Sequence, residues 1–249
     1  MQNHFFRHQG NVLCFEKTGS GKKILLTFHG FGQDKSIFQP ICQVLSEKYT
    51  IYSFDLFFHG ESKRADKNQL LSKFAWASLL QDFLLQEQIS RFSLLGFSMG
   101  GKFVFATLEA MPQQVEELFF IAPDGVKTSF WYSLATYPGW TQQFFKHLVF
   151  HPKRFQQLST RLQKIRLVDK GIVRFAQSQL KTRRQRLQVY YSWLIFRELQ
   201  FDMIKMASLI NKKKIPITMF IGKYDRIITT GNMQTLLKLV PHHQLYVLE

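Results

Sequence analysis

A chain of 249 residues, 45% hydrophobic and 15% aromatic, has enough apolar surface for one large domain, and no apolar run approaches the roughly 18–20 residues that a membrane-spanning helix needs. The formal charge of +16 arises almost entirely between 146 and 214, where 17 Lys and Arg stand against Asp169, Glu198 and Asp202. Two cysteines, Cys14 and Cys42, sit in apolar runs without Cys-x-x-Cys or Cys/His spacing, which excludes a disulfide framework and a zinc site and points to reduced core residues.

In chain order, 5–8 and 12–17, separated by Gly10, read as an antiparallel hairpin at one sheet edge. Residues 1–17 lack the apolar core and cleavage site of a secretory signal, so a cytoplasmic protein is expected. Runs of strand length follow at 23–28, 50–56, 91–95, 117–122, 215–221 and 244–248. Helical spacing occurs between them at 36–48 (Ile37, Ile41, Val44, Leu45), 70–86 (Leu71, Phe74, Ala77, Leu79, Leu80, Leu84) and 101–111 (Val104, Phe105, Leu108, Met111). Strands apolar on both faces, alternating with helices, predict a mostly parallel sheet covered on both sides. The alternation stops after 122–125. From 127 to 214 the chain reads as aromatic, strongly basic helices, a helical cap over the C-terminal edge of the sheet, where open α/β folds bind ligands. The core is then discontinuous, 1–126 and 215–249, around a cap of 127–214.

The stretch 96–101, GFSMGG, directly follows a strand and opens a helix. Gly-x-Ser-x-Gly in that context exposes a serine hydroxyl on a sharp strand-to-helix turn, which makes Ser98 a candidate nucleophile. The glycine-rich turn His29-Gly30-Phe31-Gly32 ends another strand and can aim a backbone N–H, that of Phe31, at the site served by the N–H of Met99; together they would form an oxyanion hole. His29, Gly30 and Phe97 are expected to line the substrate site. An acid that orients a catalytic histidine belongs on a loop just past a strand end, late in the chain; Asp225 meets this, with Asp124 as the alternative.

With Asp55-Leu56-Phe57-Phe58-His59-Gly60-Glu61-Ser62, which is similar to the family's Asp-x-x-Gly-His-Gly-x-Ser loop with Phe58 where Gly is usual, these motifs resemble the α/β-hydrolase fold, in its branch with a helical lid after the sixth core strand. The resemblance implies a three-layer α/β/α fold with a mostly parallel central sheet and an N-terminal antiparallel hairpin. It further implies Ser98 as nucleophile, Asp225 as orienting acid, and Phe31 and Met99 as oxyanion donors, with no cofactor and no metal. A serine nucleophile separates the chain from the family's dehalogenases and epoxide hydrolases.

The family's histidine follows the last core strand, and here that strand runs to Glu249. His242 and His243 precede it, His29 and His59 read as loop structure and pocket lining, and the base is therefore expected beyond Glu249. The leading expectation is a serine hydrolase cleaving a carboxylic ester or related acyl substrate through an acyl-enzyme, with the cap selecting substrate. The alternative is an inactive relative that binds a ligand or partner through the basic cap. The cap's charge favours anionic substrates or peripheral contact with an anionic membrane surface, against the plainer reading of a solvated helical face; no nucleic-acid-binding module is recognisable, so no nucleic-acid partner is expected.

Overall fold

The computed structural model describes residues 2–127, 136, 139–164, 177–225 and 227–249. Its strands are β1 (Asn3–His8), β2 (Asn11–Thr18), β3 (Lys23–Phe28), β4 (Tyr49–Phe54), β5 (Phe92–Phe97), β6 (Val115–Ile121), β7 (Ile217–Gly222) and β8 (His243–Leu248). They form one sheet in the order β1-β2-β4-β3-β5-β6-β7-β8. The β1–β2 and β2–β4 pairs are antiparallel and every later pair is parallel, as the alternating pattern requires. From β3 the chain moves to β4 on one side and returns to β5 on the other. The strand order therefore reverses at β3 and β5, and a crevice opens beyond their C-terminal ends.

The crossover helices are α1 (Gln39–Leu45), α2 (Lys73–Gln86) and α3 (Gly100–Ala110). The single helix expected at 36–48 is divided: Asp34 caps a 3-10 turn at Lys35–Phe38, and Pro40 then occupies the first turn of α1, where its missing N–H costs nothing. The helix expected from 70 starts later because the Ser72 side chain accepts the Ala75 N–H and fixes its N-terminus. Between the sheet and α2 and α3 lies an aromatic core. Phe83 meets Phe15 and Phe54 edge-on, and Trp76 meets Phe28 and Phe103 edge-on. The buried Trp76 indole N–H donates to Thr107 Oγ1 (3.0 Å), so its one polar group is not stranded.

Among the described residues, α4 (Gly139–Phe150), α5 (Pro152–Lys164), α6 (Arg183–Ile195) and α7 (Met203–Lys213) lie between β6 and β7, and α8 (Thr230–Leu237) follows β7. No strand occurs between β6 and β7 among the described residues; 128–135, 137–138 and 165–176, part of the expected cap, lie outside them. Thr182 and Gln185 form a reciprocal capping box that starts α6, and Asp202 caps α7. The α8 helix is absent from the sequence reading: Thr229 caps it, and Met233, Leu236 and Leu237 are its buried face. One expectation needs correction. β8 is not covered on both faces, for Tyr246, Val247 and Leu248 are each about half exposed. Among the described residues, no helix is long and apolar enough to cross a membrane.

Candidate active site

Ser98 sits between β5 and α3 with φ +48°, a left-handed conformation that costs a non-glycine residue about 1–2 kcal/mol. Three backbone hydrogen bonds hold it there. Its N–H donates to Ile121 O (2.9 Å), and its carbonyl accepts from Gly101 N (2.9 Å) and Asp124 N (2.8 Å). The adjacent glycines are required by close approach. A Cβ on Gly100 would lie 1.9 Å from Phe28 O at the end of β3, and one on Gly101 would lie 2.5 Å from Asp124 O. The turn thus packs against β3 and the loop after β6 while the Ser98 hydroxyl makes no hydrogen bond to any described residue.

The loop after β3 comes to the same point: a Cβ on Gly30 would be 3.2 Å from Ser98 Cβ and 3.4 Å from the Phe97 ring. Within this loop the amides divide clearly. Gly30 N–H donates to Gln33 Oε1, Gly32 N–H to His59 Nε2, and Gln33 N–H to Gly30 O. The Phe31 amide has no acceptor among the described residues, nor has that of Met99, which precedes the first turn of α3. Two uncommitted N–H groups therefore flank Ser98, and the Met99 amide gains from the positive end of the helix. The Phe31 side chain packs against the Val149, Leu180 and Val189 cluster of the helices between β6 and β7, so that segment reaches the loop.

His29 is buried with both ring nitrogens used. Nδ1–H donates to Gly30 O (2.7 Å) and Nε2 accepts the Leu56 N–H (2.9 Å), which fixes the neutral Nδ1–H tautomer. His59 is held the same way, Nδ1–H to Phe57 O (3.0 Å) and Nε2 from Gly32 N–H (3.1 Å). Burial brings the His29 pKa down to about 4 and that of His59 to about 3. His29, expected to line the substrate site, is instead a strut between the loops after β3 and β4. The buried Asp55 carboxylate accepts the Lys35 ammonium (3.0 Å), the Lys35 N–H (2.9 Å) and the Glu61 N–H (2.9 Å). Burial pulls the Lys35 pKa down, but the hydrogen bond and charge of Asp55 outweigh it and leave it above the ordinary lysine value. A Cβ on Gly60 (φ +50°) would overlap that carboxylate, which accounts for Gly in the motif. Phe58 takes φ +68°, the glycine conformation, with its ring stacked on Tyr191 (5.3 Å) of α6 and tilted against Phe196 (5.9 Å).

The two candidate acids differ in what holds them. Asp124 bonds Gly125 N–H through Oδ1 (2.7 Å) and pairs with the buried Lys102 ammonium through Oδ2 (3.4 Å). Asp225 follows β7; its Oδ1 accepts the Ile227 and Ile228 N–H groups (2.8 and 2.9 Å), and its Oδ2 has no partner among the described residues. Lys223 N–H donates to Leu248 O (2.7 Å), so the ends of β7 and β8 lie together at the edge of the sheet that carries Ser98. His243 begins β8 opposite Ile217, a strand length of roughly 17 Å from that edge, and its Nδ1 bonds Val240 O. Two clefts of about 560 Å³ open elsewhere, at the N-terminal ends of the strands; His243 lines one of them, and neither contains Ser98, Phe31, Met99, Asp124 or Asp225. Sequence reasoning missed Lys102, one helical turn after Ser98 inside an apolar helix, and Gln33, whose side chain ties down the Gly30 amide. Among the described residues, no cluster of three or more His, Cys, Asp or Glu could hold a metal ion.

A strained turn at the switch point of an open, mostly parallel sheet, with two amides near it that have no acceptor among the described residues, defines an α/β protein whose candidate site lies at the C-terminal sheet edge. The chain belongs to the alpha/beta hydrolase fold family, whose model matches residues 23–249. It is 34% identical over 106 residues to a pimeloyl-(acyl-carrier protein) methyl ester esterase of Legionella pneumophila, covering 43% of this chain and 40% of that protein. The chain likewise spans only 32% to 42% of the length of other curated relatives. Among solved structures it is similar to a thermophilic esterase from Thermogutta terrifontis (TM-score 0.69, 18% identity, 100% of this chain and 90% of that one). A bacterial membrane phospholipase A has the same TM-score at 21% identity, with 100% and 78% covered.

Proposed function

We propose that the protein is a serine hydrolase that cleaves a carboxylic ester or related acyl compound through an acyl-enzyme, with the helices of 127–214 acting as a substrate-selecting cap. The observation that carries this reading is the strained Ser98 turn, with the Phe31 and Met99 amides near it lacking acceptors among the described residues. In the first half-reaction Ser98 Oγ bonds to the substrate carbonyl carbon and its proton passes to a general base. The carbonyl oxygen becomes an oxyanion, which the two amides stabilise, and collapse expels the alcohol carrying the proton from the base. Water repeats the sequence on the acyl-enzyme and releases the acid. The esterase relative supports an ester as the bond cleaved.

The reading needs a base that the described residues do not supply, since His29 and His59 are both committed to backbone. An imidazole entering beside the end of β8 would meet Asp225, whose Oδ2 has no partner among the described residues, and this is the position we assign to the base. The commitment of both site histidines also favours a second reading, an inactive family member that binds a ligand or partner. A fluorophosphonate probe separates the two. The hydrolase reading expects Ser98 to be labelled and Ser98→Ala to lose both labelling and 4-nitrophenyl ester turnover by about 10³-fold or more. A full-length protein that is folded yet takes no label overturns it.

A further inference from the structure

We infer that the outer face of α4, continued into the start of α5, docks on an anionic phospholipid bilayer. The inner face of α4 is occupied: Phe145 stacks on Trp193 of α6 (5.2 Å), and Val149 is buried in the cluster against which Phe31 packs. Its opposite face carries Trp140, 74% exposed, and Phe144, 52% exposed, one helical turn apart. The same side continues into His147 and His151, whose rings stack at 4.1 Å, and into Arg154, which bonds His147 Nε2. From 139 to 164 the sequence contains five Lys and Arg and no Asp or Glu, and Lys153, Arg154 and Arg161 are exposed.

Two adjacent aromatic side chains standing out from a helix face expose apolar area that water does not favour, and exposed bases follow them on the next helix. That combination suits the boundary between lipid headgroups and acyl chains. Trp and Phe enter the boundary, and Lys and Arg meet anionic headgroups. An acidic protein would satisfy the bases, but an exposed aromatic pair fits a deformable bilayer without requiring a preformed pocket. Because the inner face of α4 packs on the cluster that reaches Phe31, docking would set the bilayer on the far side of the helix from the Ser98 loop. The inference does not rest on Ser98 being a nucleophile.

The test is cosedimentation of the full chain with vesicles of phosphatidylcholine alone and of phosphatidylcholine with 30% phosphatidylglycerol. Binding is expected on the anionic vesicles, several-fold above the neutral ones, weakening between about 0.05 and 0.3 M salt. Trp140→Ala/Phe144→Ala, at exposed positions and with the charge unchanged, is expected to weaken that binding about tenfold while circular dichroism and the melting temperature stay as in wild type. Ser98→Ala is expected to bind vesicles as wild type does, so failure of the hydrolase reading leaves this one standing. Equal binding to both vesicle types, no binding to either, or a double variant that binds as wild type overturns the inference; retention on poly-glutamate without vesicle binding overturns it in favour of an acidic protein.

Discussion

Phe58 offers a test in which two small substitutions change order. Alanine normally outranks glycine in stability because glycine leaves the unfolded chain more freedom, a difference of about 0.4–1 kcal/mol. At Phe58 the backbone is left-handed, at φ +68°, and the ring is half-buried against Tyr191 and Phe196. Full burial of Phe is worth about 3–5 kcal/mol on truncation to Ala, so a half-buried ring should cost about 2 kcal/mol in either variant. The left-handed backbone costs any residue with a Cβ about 1–2 kcal/mol and glycine almost nothing. Phe58→Ala then loses the ring and keeps the strain, whereas Phe58→Gly loses the ring and the strain together. After the entropy of the unfolded glycine chain is subtracted, Phe58→Gly should be the more stable of the two by roughly 0.5–1 kcal/mol, and both should lie below wild type. Urea unfolding followed by circular dichroism measures this as an ordering of midpoints at constant slope. If Phe58→Ala equals or exceeds Phe58→Gly, backbone strain at this position is not what the stacking opposes.

Gly100→Ala should cost about 3 kcal/mol, roughly 6–12 °C in melting temperature, because its Cβ would lie 1.9 Å from Phe28 O; helix propensity alone would make the same change favourable by about 1 kcal/mol, so the sign decides. Stability should fall as pH drops from about 6.5 through 4 towards 3. The unfolded histidines bind protons there, whereas His29 and His59, with folded pKa values of about 4 and 3, do not. Each contributes a slope of up to about 1.4 kcal/mol per pH unit, and His59→Gln should flatten the change in urea midpoint between pH 7 and 5. Cys14 and Cys42 are buried, and burial raises the Cys14 thiol to about 12; neither should react with a thiol reagent until urea unfolds the chain, and a fast native reaction would contradict the packing.

What could be read from the sequence follows from what each feature depends on. The strands from β3 to β7 were legible because a doubly covered parallel sheet needs uninterrupted apolar runs, and the Ser98 turn because Gly-x-Ser-x-Gly between a strand and a helix is a short local pattern, although the contacts that require Gly100 and Gly101 come from Phe28 and Asp124. Pro40 signals the break between the 3-10 turn and α1, but the apolar spacing across 36–48 masks it. The short, polar α8 depends on three buried side chains and a Thr229 cap, too little periodicity to stand out. That His29 and His59 use both ring nitrogens was hidden for a different reason. Their partners include the amides of Leu56 and Gly32, each 27 residues away, and only the folded loops show that both imidazoles are consumed.

The choice between Asp225 and Asp124 rests on which carboxylate can accept a proton donor without losing one it already holds. Asp124 has both oxygens engaged, by Gly125 N–H and by the Lys102 ammonium; a third partner would have to compete with a charge-assisted bond. Asp225 uses Oδ1 on two backbone amides that fix its rotamer, its Oδ2 has no partner among the described residues, and it follows Lys223, whose N–H bonds Leu248 O at the end of β8. For a triad built on Ser98, Asp225→Asn should therefore lower ester turnover by about 10³–10⁴-fold with little effect on substrate binding, because the amide would misdirect the tautomer of the imidazole it orients. Asp124→Asn removes the counter-charge of a buried lysine and should act mainly on stability, lowering the urea midpoint while leaving the turnover of folded enzyme within about tenfold. Turnover collapsing in Asp124→Asn and surviving in Asp225→Asn would make Asp124 the orienting acid, with Lys102 part of the same constellation.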